Sequence, residues 1–341
     1  MIYLNSDYMA GAHPEVMKHL VETNTLHTAG YGEDPFTRNA KKLILEECGL
    51  PDGEVFFMVG GTQTNAVVID RLLGRNDGVV AADTSHIAVH EAGAIEFTGH
   101  KILVLPSTNG KINASDIEDY ITEFYNDATN THMVRPGMVY LSFPTELGTL
   151  YSKRELERIH EVCRKWDIPL YIDGARMAYG IAASSELSLK EIAQLSDVFY
   201  IGGTKCGALF GEAVVTSRPE LLHRFFSLMK MHGAVLAKGR LLGVQFESLF
   251  ENGLYYRIGR EAVDKALKIK EIFISRGFEP YIDSITNQQF FTLPNEIIDR
   301  LRDHVSFDLW GAPGKHSSVV RFVTGWSTTT SDIDALQSLP L

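Results

Sequence analysis

The sequence is poor in cysteine, in long apolar runs and in positive charge. Its three cysteines, Cys48, Cys163 and Cys206, are scattered and odd in number, which argues against a disulfide framework or a cysteine metal site and favours a reducing compartment. No apolar run approaches the roughly 20 residues that span a bilayer. The formal net charge of −11 argues against nucleic acid or an anionic membrane as a partner. Residues 1–15 carry neither a basic lead nor an apolar run, so we expect a cytoplasmic protein without a secretory signal.

The common nucleotide-binding signatures are also missing. The glycine-rich stretch Gly60-Gly61-Thr62-Gln63 has neither the triple-glycine spacing of a dinucleotide site nor a Walker loop. It does lie between a strand-like run and a helical segment, where glycines let the backbone approach a ligand and a helix N-terminus offers free amides. It therefore predicts a phosphate site, the alternative being that Thr62 only caps its own helix.

Short apolar runs alternate with helical segments over the first two thirds of the 341 residues. This alternation predicts an α/β fold with three layers, in which helices cover both faces of a mainly parallel seven-stranded sheet. Capping-box patterns at Ser115–Glu118 and Ser152–Glu155 predict the starts of two covering helices. The predicted strands are residues 55–59, 79–82, 102–105, 139–143, 168–172, 198–201 and 211–216.

The pattern changes after Pro219. Helical segments at residues 220–231, 236–251 and 261–276 follow one another, and short strands come after them. We expect a large domain over residues 15–238. A smaller α+β domain is expected from residues 1–14 and 239–341.

Lys205 stands in an unusual place for a lysine. It follows the apolar run 198–201 in a turn bordered by glycines, whereas a solvated lysine is more common on a helix face. A lysine at a strand end can be partly desolvated, which lowers its pKa and makes its amine a nucleophile toward aldehydes. The alternative is a surface lysine in a loop.

Asp173 and His86 also follow apolar runs, at the carboxyl ends where sites gather in such folds. A carboxylate there is costly unless it is paired. Asp173 could cap a helix, pair with Arg176, or hold a cationic ring nitrogen such as a pyridinium. His86 could be a core or capping histidine, or a flat ring stacked on a flat cofactor.

A phosphate site, a strand-end aspartate and a strand-end lysine together describe a site for pyridoxal 5′-phosphate. Their order along the chain is that of the aspartate aminotransferase superfamily, with fold type I. More narrowly, the chain resembles the threonine aldolases of the beta-eliminating lyase family over nearly its whole length. The matching elements are Asn5-Ser6-Asp7, Tyr31-Gly32-Glu33-Asp34-Pro35, Gly61-Thr62-Gln63-Thr64-Asn65, Ser85-His86-Ile87, His90-Glu91-Ala92-Gly93, Asp173-Gly174-Ala175-Arg176, Thr204-Lys205 and Val320-Arg321-Phe322-Val323-Thr324.

The resemblance implies roles for these residues. Lys205 would form the Schiff base with the cofactor, Asp173 would bind the pyridine nitrogen, and His86 would stack on the ring. The phosphate would be held by Gly61, Thr62 and Gln63, with Thr204 assisting.

The resemblance also implies substrate contacts. Ser6, Arg176 and Arg321 would bind the substrate carboxylate, a task that suits the paired donors of a guanidinium. Structural ion pairs for the arginines and a simple turn at Ser6 are the alternatives. Similar enzymes are homodimers or homotetramers with sites at subunit interfaces, so Tyr31 would serve a neighbour's site.

Two stretches depart from the common family pattern. Where that pattern has a histidine near the substrate hydroxyl, residues 142–148 have either Glu146 in its place or no equivalent. The glycine-rich motif with its arginine becomes residues 230–240, in which Lys230, Lys238 or Arg240 would be the phosphate's positive partner. Both departures resemble a branch that includes phenylserine-type aldolases, which leaves the preferred aldehyde and the β-carbon stereochemistry open.

The expected activity is cleavage of L-threonine, L-allo-threonine or a related β-hydroxy-α-amino acid to glycine and an aldehyde. The residues expected to carry it are Lys205, His86, Asp173 and Glu146, without a metal. His86, His90, Glu146 or a bound water would accept the β-hydroxyl proton. Another reaction of the same cofactor, namely β-elimination, transamination or racemisation, is the alternative.

Overall fold

A seven-stranded sheet forms the centre of the computed structural model, which describes residues 1–340. Two smaller sheets, of four and two strands, accompany it. The strands are β1 Ile2–Tyr3, β2 Glu54–Met58, β3 Asp77–Ala82, β4 Lys101–Leu105, β5 Arg135–Ser142, β6 Leu170–Asp173, β7 Val198–Gly202, β8 Glu212–Thr216, β9 Pro280–Ile282, β10 Gln288–Pro294, β11 Val305–Ser306, β12 Asp308–Leu309 and β13 Ser317–Val323.

Helices fill most of the remaining chain. Short 3-10 turns occur at Asn130–His132, Pro219–Leu222 and Glu251–Gly253. The α-helices are α1 Pro14–Thr23, α2 Pro35–Cys48, α3 Gly61–Leu72, α4 His86–Val89, α5 Ala94–Phe97, α6 Ala114–Asn126, α7 Lys153–Lys165, α8 Met177–Ala183, α9 Leu189–Gln194, α10 Phe225–Met231, α11 Arg240–Phe250, α12 Leu254–Ser275, α13 Asn295–Arg302 and α14 Thr330–Ser338.

The large sheet has the strand order β2-β8-β7-β6-β5-β3-β4. Strands β7, β6, β5, β3 and β4 run parallel, and β8 is antiparallel to both of its neighbours. The carboxyl ends of β3, β5, β6 and β7 therefore meet at one edge in the middle of the sheet. This observation confirms the predicted mainly parallel seven-stranded sheet.

Both faces of the large sheet are buried, because alternate residues of each strand enter different cores. Val139 and Leu141 of β5 pack in one core with helices such as α7 and α12. Met138 and Tyr140 pack in the other, with α3 and α10. Two apolar faces explain why the strands read as almost continuous apolar runs.

A third core lies beneath the four-stranded sheet, whose order is β12-β13-β10-β9. Helix α12 joins this core to the large sheet. Its first half buries Tyr255 and Ile258 in the core of the large sheet, and its second half buries Ile272 and Phe273 in the third core. The boundary predicted near residue 239 remains a prediction, and we note that α11 packs against α1 and α2.

Several helix boundaries differ from the sequence expectation. Helix α6 begins before Ser115, because Asn113 is its N-cap and accepts from the backbone N–H of Asp116. The capping box of Ser152 and Glu155 is confirmed at the start of α7. The predicted helix over residues 220–231 is a 3-10 turn followed by α10, since Arg224 adopts a left-handed conformation between them.

The N-terminal segment ties the smaller sheets to the large one. Strand β1 pairs with β11, and the carbonyl of Leu4 accepts from the N–H of Val323 at 2.7 Å. Further along, the N–H of His13 donates to the carbonyl of Gly207, which lies just beyond Lys205. Within residues 1–340, no helix combines the length and the apolar character needed to cross a membrane.

Candidate active site

At the centre of the site, the loop that follows β6 is in close contact with the loop that follows β7. Asp173 is the last residue of β6, and β7 ends at Gly202, three residues before Lys205. The N–H of Gly202 donates to the carbonyl of Gly174 at 2.9 Å. A Cβ on Gly174 would lie 2.0 Å from the carbonyl oxygen of Tyr200, and one on Gly202 would lie 2.3 Å from that of Ala175. Both glycines are therefore required for the backbone approach that brings Asp173 and Lys205 to one cavity.

Two adjoining cavities open at this edge of the sheet. The inner cavity, of about 290 Å³, is lined by Gly61, Thr62, Asp173, Thr204 and Glu212 among others. The outer cavity, of about 720 Å³, reaches the four-stranded sheet. The two cavities share a set of polar and aromatic residues, which are Tyr8, His86, Glu146, Arg176 and Lys205.

Lys205 is partly buried between these cavities. Burial, and then the nearby Arg176, lower the pKa of its amine, and the carboxylates of Asp7, Asp173 and Glu212 oppose that shift only in part. A lowered pKa favours the neutral amine, which is the form that reacts with an aldehyde. The environment expected for a nucleophilic lysine is therefore present.

Asp173 is buried and well supplied with donors. Its Oδ2 accepts from the hydroxyl of Tyr140 at 2.6 Å and from Nδ2 of Asn65 at 2.9 Å, while Oδ1 accepts from the N–H of Ala175. Burial raises its pKa, but His86 and these donors outweigh burial, so the pKa of Asp173 lies below its ordinary value. The carboxylate is kept ionised. It does not pair with Arg176, which binds Asp7 instead.

His86 begins α4 after β3 and is held by two carboxylates. Its Nδ1 lies 2.7 Å from Oε1 of Glu91, which also accepts from Nδ2 of Asn65. Its backbone N–H donates to Oε1 of Glu146 at 2.8 Å. An ionised carboxylate only accepts, so Nδ1 of His86 is the donor in this contact when Glu91 is ionised. The imidazole orientation is thus set by Glu91.

Glu146 occupies the stretch that departs from the family pattern. Its Oε1 accepts from the hydroxyl of Ser142 at 2.5 Å as well as from His86. Burial raises the pKa of Glu146, and the two hydrogen bonds offset only part of that effect. The side chain lines both cavities, where a carboxylate with a raised pKa can exchange a proton with a ligand.

The N-terminus of α3 borders the inner cavity through Gly60, Gly61 and Thr62. The N-cap is Gly60, so Thr62 does not cap the helix. The N–H groups of the first turn have no partner within the helix, which makes this end suitable for an anion. Gln63 does not line either cavity, and its Oε1 is buried with no partner among residues 1–340. Thr204 lines the inner cavity and accepts from the N–H of Gly211.

Arg176 and Arg321 both line the outer cavity, and each also has an ion pair. Nε and Nη2 of Arg176 donate to Asp7 at 2.7 and 3.1 Å, which leaves Nη1 unused by this pair. Nη2 of Arg321 donates to Asp308 at 2.7 Å. Ser6 lies outside the lining of both cavities, and its Oγ is buried without a hydrogen bond in the described part of the chain.

Other predicted residues lie away from the two cavities. Tyr31 is 48% exposed, and Nζ of Lys230 lies 4.6 Å from the centre of its ring. Arg240 donates to the carbonyls of Thr23, Asn24 and Leu26 beyond the end of α1. Lys238 likewise lines neither cavity of its own chain.

Several residues of the site had no role assigned from the sequence. Asp7, Asn65 and Glu91 lie in the matching elements but were given no role, and Tyr140, Glu212 and Gln288 were not singled out. One signal was available for Tyr140, because it lies two residues before Ser142, which ends β5 and pairs with Asp173, and so faces the same side as Ser142. Glu212 and Gln288 each begin a strand, and a single polar residue there has no distinctive spacing.

The donors around the inner cavity fit pyridoxal phosphate. Lys205 offers an amine for its aldehyde, Asp173 stays ionised and can pair with its ring nitrogen, and the first turn of α3 can receive its phosphate. A neutral ligand would not require an ionised carboxylate buried at this depth. Together with the strand order, this places the chain in the class of pyridoxal-phosphate enzymes with fold type I.

Comparison with known proteins narrows the class. The beta-eliminating lyase family model matches residues 3–277, so the chain belongs to that family. A solved threonine aldolase from Leishmania major is 36% identical with a TM-score of 0.95, covering 99% of this chain and 98% of that one. The low specificity L-threonine aldolase of Pseudomonas aeruginosa is 28% identical, covering 98% of this chain and 94% of that protein.

A more distant structure shares only the fold. A double mutant of Thermus thermophilus aspartate aminotransferase is 15% identical with a TM-score of 0.72, covering 99% of this chain and 90% of that one. The predicted family, fold class and cofactor are confirmed.

Proposed function

We propose that the protein cleaves a β-hydroxy-α-amino acid, L-threonine, L-allo-threonine or a related compound, to glycine and an aldehyde. The observation that carries the proposal is the placement of Lys205 between a cavity suited to pyridoxal phosphate and one lined by two arginines. The relatives named L-threonine aldolase, which cover nearly the whole chain, support it. When bound, pyridoxal phosphate supplies a conjugated ring that accepts the electron pair of the broken bond.

The protein's first task is to hold the cofactor. Lys205 would bind its aldehyde, Asp173 would pair with its ring nitrogen, and His86 would cover the ring. Gly61 and Thr62 would bind the phosphate through backbone amides, with Thr204 assisting from the opposite loop. Gln63 does not line the cavity, so it would contribute only the backbone N–H that it carries in the first turn of α3.

The second task is to orient the substrate. Arg176 offers Nη1, since its other edge is held by Asp7, and Arg321 faces the same cavity from β13. Ser6, beside Asp7, would add a hydroxyl, but its Oγ is buried outside both cavity linings and would have to turn toward the substrate to do so. Binding the carboxylate between these groups fixes the Cα–Cβ bond relative to Lys205, and such positioning accounts for much of the rate gain in enzymes.

The third task is to accept the proton of the β-hydroxyl. His86, His90 and Glu146 line the outer cavity. Burial, and then the positive neighbours His86, Arg321 and Lys205, lower the pKa of His90, which favours the neutral imidazole that can accept a proton. The raised pKa of Glu146 makes it a stronger base than an ordinary carboxylate when it is ionised.

We further propose a cytoplasmic homodimer or homotetramer. Tyr31, Phe226 and Met231 are 48, 47 and 72% exposed, an apolar set that a second copy could cover. In such an assembly Tyr31, together with Lys230, Lys238 or Arg240, would serve the site of a neighbouring subunit. Light scattering on the purified protein measures the mass, and a monomer would contradict this part.

The experiment that tests the activity replaces Lys205 by alanine. We expect Lys205→Ala to lose the visible absorbance of the lysine-bound cofactor and to lose threonine cleavage, whereas Lys18→Ala, on the surface, keeps both. Products from L-threonine, L-allo-threonine and phenylserine identify the reaction: glycine with an aldehyde supports the proposal, and a keto acid indicates β-elimination or transamination. Cleavage retained by Lys205→Ala would refute it.

A further inference from the structure

Gln288 is a buried amide with an unused donor at the outer cavity. It begins β10, has no exposed surface, and lines the cavity together with Arg321. Its Oε1 accepts from Nη1 of Arg321 at 3.5 Å, and its Nε2 has no hydrogen-bond partner in residues 1–340. A guanidinium only donates, so the amide oxygen must face Arg321. The unpaired atom is therefore the NH2 group, and flipping the amide would not remove it.

The sheet places this donor beside the arginine. Phe290 lies opposite Arg321 in the β10–β13 ladder, and Gln288 is two residues from Phe290. Gln288 and Arg321 thus share one face of the sheet as diagonal neighbours. The face points toward the cavity that also contains Lys205 and Arg176.

Arg321 is itself only partly satisfied. Nη2 is bound by Asp308, and the guanidinium lies 5.2 Å from the ring centre of Trp310. Its Nε is buried without a partner among the described residues. An unpaired buried donor is destabilising, so two of them side by side indicate a ligand that supplies acceptors. Only donors are left unpaired on these two side chains.

We propose that Gln288 binds the α-carboxylate of the substrate, its Nε2 donating beside Arg321; this inference rests on the proposed function. A carboxylate is an acceptor with several lone-pair positions, which matches a set composed of donors alone. The amide adds a hydrogen bond without adding charge, and its oxygen helps to hold the Arg321 guanidinium in place. Gln288 is thus a substrate-binding residue contributed by the smaller sheet.

The test uses the purified holoenzyme and measures binding from the change in the cofactor's visible spectrum. Glycine is the probe, because it carries the carboxylate but no side chain or hydroxyl. Ethylamine is the matched ligand, because a methyl group stands in place of the carboxylate and offers no acceptor. Two variants are made: Gln288→Leu removes the donor, and Gln288→Glu keeps the shape but replaces the donor by a charged acceptor.

We expect the Kd of glycine to rise about 10- to 100-fold in Gln288→Leu, because one hydrogen bond to a charged group is lost. The Kd should rise at least as much in Gln288→Glu. The Kd of ethylamine should not change. Gln289→Leu is the control, because Gln289 is equally buried but donates to Thr286 and does not line the cavity. Its melting temperature should fall, because a buried hydrogen bond is lost, but its affinity for glycine should stay that of the wild type.

Each other outcome decides a separate point. Unchanged glycine affinity in both Gln288 variants overturns the inference. If threonine affinity alone falls, the amide binds the side chain or its hydroxyl, and the carboxylate assignment is wrong. If the Gln288 variants lose glycine affinity as expected but the wild-type protein does not cleave threonine, the proposed function is overturned and this inference is not. A wild-type protein that neither binds glycine nor cleaves threonine overturns both.

Discussion

The ion pair between Asp7 and Arg176 lends itself to a quantitative test. Its two hydrogen bonds are 2.7 and 3.1 Å long, and Nδ2 of Asn287 donates to the same carboxylate at 3.0 Å. The side chains of Asp7 and Arg176 are 0 and 13% exposed. The substitution Asp7→Asn preserves the size of the side chain but leaves the guanidinium of Arg176 buried without a counter-charge.

The expected loss follows from that burial. Breaking a buried pair by neutralising one partner costs about 3–5 kcal/mol, and the low exposure leaves little solvent screening to reduce it. Unfolding entropy of about 2.1 cal/mol/K per residue gives about 0.7 kcal/mol/K for 341 residues. The melting temperature should therefore fall by about 4–7 °C at neutral pH.

The loss should also depend on pH. Burial raises the pKa of Asp7, but Arg176 and then Lys205 together lower it by more than burial raises it, so the folded-state pKa lies below the ordinary value. A depressed folded pKa gives stability that is present above the unfolded pKa and is lost as the pH falls through the folded pKa. The gap between wild type and Asp7→Asn should thus be full at neutral pH and should narrow below about pH 4.

Calorimetry on the holoenzyme, with Asp334→Asn on the surface as the control, measures this gap. The KM for L-threonine should rise in Asp7→Asn, because Arg176 is no longer held at the cavity. A melting temperature equal to that of the wild type at neutral pH would refute the reasoning. So would a gap that does not change with pH.

Two further predictions concern positions outside the direct ligand contacts. Glu91→Gln should shift the pH profile of threonine cleavage and lower kcat/KM about tenfold, because Glu91 orients the His86 imidazole; an unchanged profile in a cofactor-loaded variant would contradict this role. Gly259→Ala should lower the free energy of unfolding in urea by about 1–3 kcal/mol, since its Cβ would lie 2.4 Å from the carbonyl oxygen of Ala178 and force α12 away from α8; a free energy of unfolding equal to that of the wild type would show that the helices separate without cost.

The large sheet was predictable because its central strands are buried on both faces. Runs such as 198–201 stay apolar throughout and end at glycines, so strand and loop are visible in the sequence. Helix starts were less predictable. Asn113 and Ser115 are both good N-cap residues, and only the packing of α6 selects between them.

The site was predictable where its residues follow strand ends, as Lys205 and Asp173 do. Their partners were not, since Asn65 and Glu91 lie in other parts of the chain and meet Asp173 and His86 only in the folded protein. Gln288 was missed for a similar reason. A single glutamine at the start of a strand belongs to no motif, so nothing in the sequence distinguishes Gln288 from its neighbour Gln289.

The contacts of Asp7 also bear on how the protein folds. They join positions 169 and 280 residues apart, to Arg176 and to Asn287. Contacts between such distant positions must close very long loops before they contribute any stability. A nascent chain has made every strand of the large sheet, which ends at Thr216, before it reaches Asn287. During synthesis the large sheet can therefore pair before this contact closes the substrate side of the site.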